Sequence, residues 1–262
     1  MNTLALALIA LTGLCLAFAA LYFVARRMDN YGIVDIAWSY AFGAMAGFYA
    51  VFAAGWPMRR MLMAGLAVVW SFRLGTHLFI RVMSHHPVED GRYRELRRDW
   101  AANFAAKMFG FFQMQAVSVV ILGAAFLLTA INPTPALHPF EIAGVALWLI
   151  AVGGESLADA QLAAFKRDPA NKGAVCEVGL WRYSRHPNYF FEWLVWVAFF
   201  VFALGSSWGW IAIVGPASIL WLLLRVTGIP MTEAQSLRSR GDAYRHYQQR
   251  TSAFVPWFPR KT

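Results

Sequence analysis

Charge is what this chain has least of. Asp, Glu, Lys and Arg together make up 14% of its 262 residues, where a soluble domain carries nearer a quarter. The few charges are clumped, so long stretches carry almost none, and an ordinary water-soluble surface is excluded. Cysteine is nearly absent as well. Cys15 lies in an apolar stretch and Cys176 in a basic loop, so neither a disulfide framework nor a zinc site is expected. His85 and His86 are adjacent and face different ways on a helix, so no metal is expected there either. The chain has no G-x-G-x-x-G between a strand and a helix and no Walker A run. A Rossmann crevice and a P-loop are thereby set aside, and a serine hydrolase is not expected. Neither an internal repeat nor a low-complexity linker divides the chain, and 1–262 reads as a single membrane domain.

What is abundant is apolar surface: 59% of the residues are hydrophobic, with 12 Trp and 21 Phe suited to membrane interfaces and helix packing. A span needs roughly 20 apolar residues. Hydropathy predicts an all-α bundle of seven transmembrane helices, at about 4–24, 33–54, 61–80, 111–130, 139–158, 189–205 and 208–228. The last two are joined by Gly205-Ser206-Ser207 as a tight hairpin. The first run has no basic region ahead of it and is long enough to span, so it is read as a helix and not a signal peptide. All of the 23 Lys and Arg except Arg59, Arg60 and Arg73 fall in alternate loops or at their edges. The positive-inside rule then puts the N-terminus outside and the C-terminus in the cytoplasm, in a bacterial inner membrane. The net charge of +9 is thus assigned to cytoplasmic loops, and to a mouth for a phosphate-bearing cofactor, in preference to nucleic acid. The polar segments 81–110, 159–188 and 229–262 would form that mouth.

Ionisable groups at membrane depth are costly and are therefore candidate site residues. Asp35 stands at the start of the second run. It could be a helix-start carboxylate favoured by the dipole, or a desolvated acid able to donate a proton. Arg73, His77 and Arg81 recur every fourth residue and share one helix face. Glu155 and Asp159 share another, as do Asn188 and Glu192 one turn apart after Pro187. Arginines and lysines suit phosphates, while carboxylates and amides suit ribose hydroxyls and a carboxamide. The inventory is nucleotide-shaped, with the binding groups drawn from between helices.

The run Gly179-Leu-Trp-Arg-Tyr-Ser-Arg-His-Pro-Asn-Tyr-Phe-Phe-Glu192 resembles the C-terminal signature of the steroid 5-alpha-reductase family, especially a bacterial branch of it. Gly32 to Trp38, Trp70 to Arg81 and the aromatic-proline end Phe254 to Pro259 extend the likeness over nearly the whole chain. The resemblance implies NADPH in a cytoplasm-facing cavity of seven helices and a hydrophobic enone substrate, a steroid or similar. By it, Asn188, Glu192, Asp159, Arg81 and Arg92 match cofactor-holding positions. Arg73, Lys166, Arg182, Arg185, His186, Tyr189 and Tyr247 join them as further cofactor-binding candidates. Asp35 matches a catalytic Glu of the family, whose neighbouring Gln is Val34 here. The family's catalytic Tyr position falls at Leu78, beside His77. Asp35 and His77 are therefore the catalytic candidates, and Trp38 and Leu78 the substrate-binding ones. The Arg-His-Pro-Asn-Tyr run is also similar to those of sterol reductases and of isoprenylcysteine carboxyl methyltransferases, which makes an S-adenosylmethionine-dependent methyltransferase the alternative. A transporter or receptor, the non-enzymatic reading, should leave polar groups near both faces or show repeat symmetry, and neither is visible. Excess positive charge favours NADPH, whose pyrophosphate and 2′-phosphate need neutralising.

Overall fold

Inside hydrocarbon a backbone amide has no solvent partner, so apolar runs of this length become helices that satisfy themselves. The computed structural model describes residues 1–260, and among them there is no strand. The nearest thing to β-structure is a single parallel bridge between Ser184 and Ser252. The chain forms two compact units, residues 1–138 with 203–212, and residues 139–202 with 213 onward.

In the first unit, α1 (Thr3–Met28) begins at Asn2, whose side chain accepts from the Ala5 amide at 2.7 Å. It ends at Asp29, which adopts the left-handed conformation (φ 50°) and returns its N–H to the last turn. One face of α1 buries Leu6, Ala10, Phe18, Tyr22 and Ala25, while Leu4, Leu8, Ile9, Leu16 and Phe23 stay exposed. That division suits a helix with protein on one side and lipid tails on the other.

The unit is built around α2 (Ile33–Phe52), which packs against α1, α3 (Pro57–His85), α5 (Phe104–Leu122) and α6 (Ala124–Ala130). Its seam with α3 is made of small residues. Ser71 Oγ donates to the Ser39 carbonyl at 2.6 Å and accepts from the Gly43 amide at 3.1 Å. A Cβ on Gly43 would lie 2.8 Å from Ser71 Oγ, and one on Gly75 2.8 Å from the Tyr40 ring. The Ser39–Gly43 and Ser71–Gly75 pairs therefore set how near the two backbones come, the usual device where lipid supplies no hydrophobic drive. Between α3 and α5 lies the short amphipathic α4 (Gly91–Asp99). At the other end of α3, buried Arg59 donates to the carbonyls of Asn132, Thr134 and Ala136, and Asn132 in turn donates to Gly205 O and Ser206 Oγ. Arg59, expected only as a loop charge, is a staple for the connection after α6.

The second unit contains α7 (Pro139–Arg167), α8 (Pro187–Ala203), α9 (Val214–Trp221), α10 (Ile229–Arg240) and α11 (Asp242–Arg250). A π-helical turn, Leu222–Val226, separates α9 from α10. Trp193 on α8 donates its indole N–H to Pro216 O on α9 at 3.1 Å.

Five continuous helical runs are long and apolar enough to cross a membrane: Thr3–Met28, Pro57–His85, Ala101–Leu122, Pro139–Arg167 and Gly209–Arg240. The chain is a multi-pass integral membrane protein. Two expected spans do not meet that measure. α2 has 20 residues, but Asp35, Ser39, Tyr40 and Tyr49 dilute it, and α8 has only 17. The expected span 111–130 begins earlier, at Phe104, and breaks at Gly123. The last expected span is a relay of 3₁₀, α and π turns.

The α2–α3 seam carries the first prediction. Gly43→Leu should push the helices apart and destabilise the protein by about 1–3 kcal/mol, read as a lower midpoint in thermal unfolding in detergent, whereas Gly47→Leu, at a site with open space around it, should leave the midpoint unchanged.

Candidate functional site

The polar residues singled out from the sequence fall into two groups, one in each unit. In the first unit Asp35 occupies the first turn of α2. Its two carboxylate oxygens accept from Arg92 Nη2 at 2.7 Å and from the Tyr93 hydroxyl at 2.8 Å. Both donors come from the first turn of α4. Asp90 caps that helix, accepting from the Arg92 amide at 3.0 Å and the Arg92 Nε at 3.4 Å, and Arg81 stands 3.8 Å from its other oxygen. Burial works against the charge on Asp90, but Arg92 and Arg81 outweigh it and hold this carboxyl below its ordinary range. Burial, then the adjacent Asp35, push the Tyr93 phenol well above its usual value. Tyr93 is therefore a neutral hydrogen-bond donor at any physiological pH.

One turn further along α4, Arg97 ties the segment down. Its Nε donates to buried Glu89 at 2.7 Å and its Nη2 to Asp29 Oδ1 at 2.7 Å, with its guanidinium over the Tyr31 ring. The other oxygen of Glu89 accepts from the Tyr31 amide at 2.7 Å. Glu89 and Arg97 thus join the end of α1 and the start of α2 to α4, which is how the Asp35–Tyr93 pair is positioned.

The remaining first-unit candidates lie on α3 and α2. Arg73 is half-buried on α3, whereas His77 is exposed one turn later and Leu78 is half-buried. Trp38 donates to Ser118 Oγ at 2.9 Å and meets Phe42 edge-on.

In the second unit Asn188, in the first turn of α8, donates to Asp159 on α7 at 3.4 Å. Glu192 follows one turn later and accepts from Trp196 Nε1 at 3.0 Å. Lys166 is two helical turns beyond Asp159 on the same face of α7. It lines a cavity of about 130 Å³ with Lys172, Arg240, Asn171 and Cys176. Among the described residues no carboxylate pairs with any of these three cations. Burial raises the Cys176 thiol above its usual value, against the pull of Lys166 and Arg240.

The segment that launches α8 is held by the chain that follows it. Arg185 donates to Glu233 at 2.7 Å and to the carbonyls of Gln248 and Thr251. His186 is buried, approaches the same Glu233 oxygen at 3.4 Å and stacks on Tyr189, whose hydroxyl is 3.1 Å from Thr232 Oγ1. Tyr247 donates its hydroxyl to the backbone at Trp181 and Ser184. Arg185 and Tyr247, expected beside a cofactor, have these polar atoms committed to the joint; Arg182 is exposed.

Several residues of these polar clusters escape the sequence reading: Tyr93, Asp90, Glu89, Arg97 and Glu233. Each sits in a polar segment where a charged or phenolic side chain is unremarkable, and only its distant partner gives it meaning. The run Gly205–Gly209 has G-x-S-x-G spacing, which the sequence reading also passed over. It is a turn after a helix, with its central Ser207 exposed, and not a strand-to-helix elbow.

The Glu89 junction is testable. Glu89→Ala strands the Tyr31 amide and the Arg97 Nε and should cost about 1–3 kcal/mol. Glu89→Gln, which keeps an acceptor for the amide, should recover part of that loss in the same thermal unfolding measurement.

No curated protein and no solved structure matches the chain. A family model described as "Protein of unknown function (DUF1295)" matches residues 21–251. An all-helical membrane chain matched over that much of its length belongs to the DUF1295 family.

Proposed function

We propose that the protein is a membrane-embedded, NADPH-dependent reductase of a lipid-like enone, with its cofactor mouth on the cytoplasmic side. The observation that carries this reading is the Lys166–Lys172–Arg240 cavity two helical turns from the Asp159–Asn188 pair. Unpaired cations suit phosphate groups, and an amide beside a carboxylate suits ribose hydroxyls. The residues present therefore fit a phosphorylated dinucleotide better than S-adenosylmethionine, which carries no phosphate.

In this reading the chain crosses the membrane seven times, α2 and α8 included, with the N-terminus outside. The second unit holds the nucleotide: Lys166, Lys172 and Arg240 bind phosphate, and Asp159 and Asn188 bind ribose. Glu192 extends that polar face along α8. When bound, NADPH would supply a hydride to the β-carbon of the enone. The Asp35–Arg92–Tyr93 cluster is the proposed donor set for the carbonyl oxygen as negative charge develops there: the Tyr93 hydroxyl, which donates to Asp35 in the structure, would turn its proton to that oxygen. Asp35 and Arg92 orient the phenol, and this cluster replaces the expected catalytic pair of Asp35 and His77. Water entering from the cytoplasm delivers the proton to the α-carbon. Trp38 and Leu78 supply apolar contact for the substrate.

Two measurements test this. Calorimetry on the detergent-solubilised protein should give NADPH binding, with NADH much weaker, and Lys166→Gln with Arg240→Gln should lower NADPH affinity by about 10-fold or more. Equal affinities for NADPH and NADH, or binding of S-adenosylmethionine instead, would overturn the cofactor assignment. Tyr93→Phe should lower enone reduction by about 100- to 1000-fold with NADPH affinity unchanged; retained turnover would remove Tyr93 from the chemistry.

A further inference from the structure

Residues 251–260, which follow α11, are firmly pinned. The Ser252 carbonyl accepts from the Arg185 amide at 2.8 Å, the Phe254 carbonyl from Ser184 Oγ at 2.8 Å, and the Trp257 amide donates to Tyr183 O at 2.9 Å. The Arg260 amide donates to Arg250 O at 2.9 Å. Phe254 turns inward and packs on Phe190 and Trp193, with ring centres 5.7 and 5.8 Å away. Val255, Trp257 and Phe258 turn outward and are 52, 70 and 76% exposed. Phe258 meets Tyr183 edge-on. A strap fixed by its own backbone that holds two large aromatic rings in the open is a surface awaiting a partner.

The geometry points to the headgroup boundary of an anionic bilayer as that partner. Depth is the first argument. Phe190 and Trp193 lie in the first two turns of α8, whose only ionisable residue beyond Tyr189 is Glu192. The strap therefore packs at the level where an apolar helix starts, which is where water gives way to lipid. Chemistry is the second. Trp and Tyr favour this boundary because one end of each ring is apolar and the other wet. Charge is the third. Arg182 and Arg260 flank the rings and are exposed, whereas Arg250 is neutralised by Glu177. Among the described residues no carboxylate pairs with Arg182 or Arg260, and arginines beside the acyl boundary attract anionic headgroups. Because the strap also braces the Tyr183–His186 segment, lipid contact would steady the start of α8. None of this rests on the reductase reading.

The test uses the full-length protein in lipid nanodiscs whose acyl chains are brominated either near the headgroup or near the chain terminus. Subtracting Trp257→Phe from the wild type isolates Trp257 among the 12 tryptophans. The rings are held by backbone bonds, so this variant keeps the strap. Trp257 emission should be quenched strongly by shallow bromine, weakly by deep bromine and little by aqueous iodide. Raising the share of phosphatidylglycerol should increase the shallow quenching in the wild type and not in Arg182→Gln/Arg260→Gln. Free quenching by iodide with no response to brominated lipid would overturn the proposal. So would shielding found only in discs carrying two copies, which would make a second chain the cover. An identical phosphatidylglycerol response in the double variant would overturn the role of the arginines.

Discussion

Everything in this molecule follows from the cost of leaving a charge or a hydrogen-bonding group unpaired where water is scarce. The ordinary way to meet that cost is a helix, and the chain uses it almost everywhere. The informative places are those where a helix alone is insufficient. Arg59, 1% exposed, lies near the start of α3 and spends its donors on three carbonyls of an irregular connection. Glu89, 7% exposed, answers both an amide and a guanidinium. Neither residue is near a ligand in any reading; each exists because a loop had to be closed without water.

The two units solve the same problem by the same means. A helix that carries a carboxylate or an arginine at its entrance is tied there by a short polar segment arriving from later in the chain. In the first unit α4 brings Arg92 and Tyr93 to Asp35, across 57 and 58 residues. In the second, α10 and α11 bring Glu233 and the Gln248 and Thr251 carbonyls to Arg185. These junctions stand at the ends of helices, where unsatisfied backbone groups already collect, and polar chemistry gathers there at little extra cost. In the first unit the junction commits the Tyr93 hydroxyl to Asp35. The second unit commits Arg185 and Tyr247 to the joint, and pairs Asn188 with Asp159 away from it.

Much of this was legible beforehand. The apolar runs announced helices, since nothing else can cross lipid, and the clumping of Arg and Lys marked which segments are polar. The stripe Arg73–His77–Arg81 lies along α3, yet His77 is exposed, because periodicity assigns a face and not what covers it. Gly123 broke an expected span, and a π turn reshaped the last one, because local backbone geometry responds to neighbouring side chains that hydropathy ignores.

By itself, then, the sequence determined the solvent: a chain with so few and so clustered charges must fold in a membrane as helices. It also marked Asp35, Asp159, Asn188 and Glu192 as polar groups that need partners in apolar surroundings. What only the tertiary structure decided is who answers them. Asp35 finds Arg92 and Tyr93, Arg185 finds Glu233, and Lys166 meets Lys172 and Arg240 around one cavity. Pairing energies depend steeply on a few ångströms of separation, and those separations are set by how helices far apart in the chain come to lie side by side.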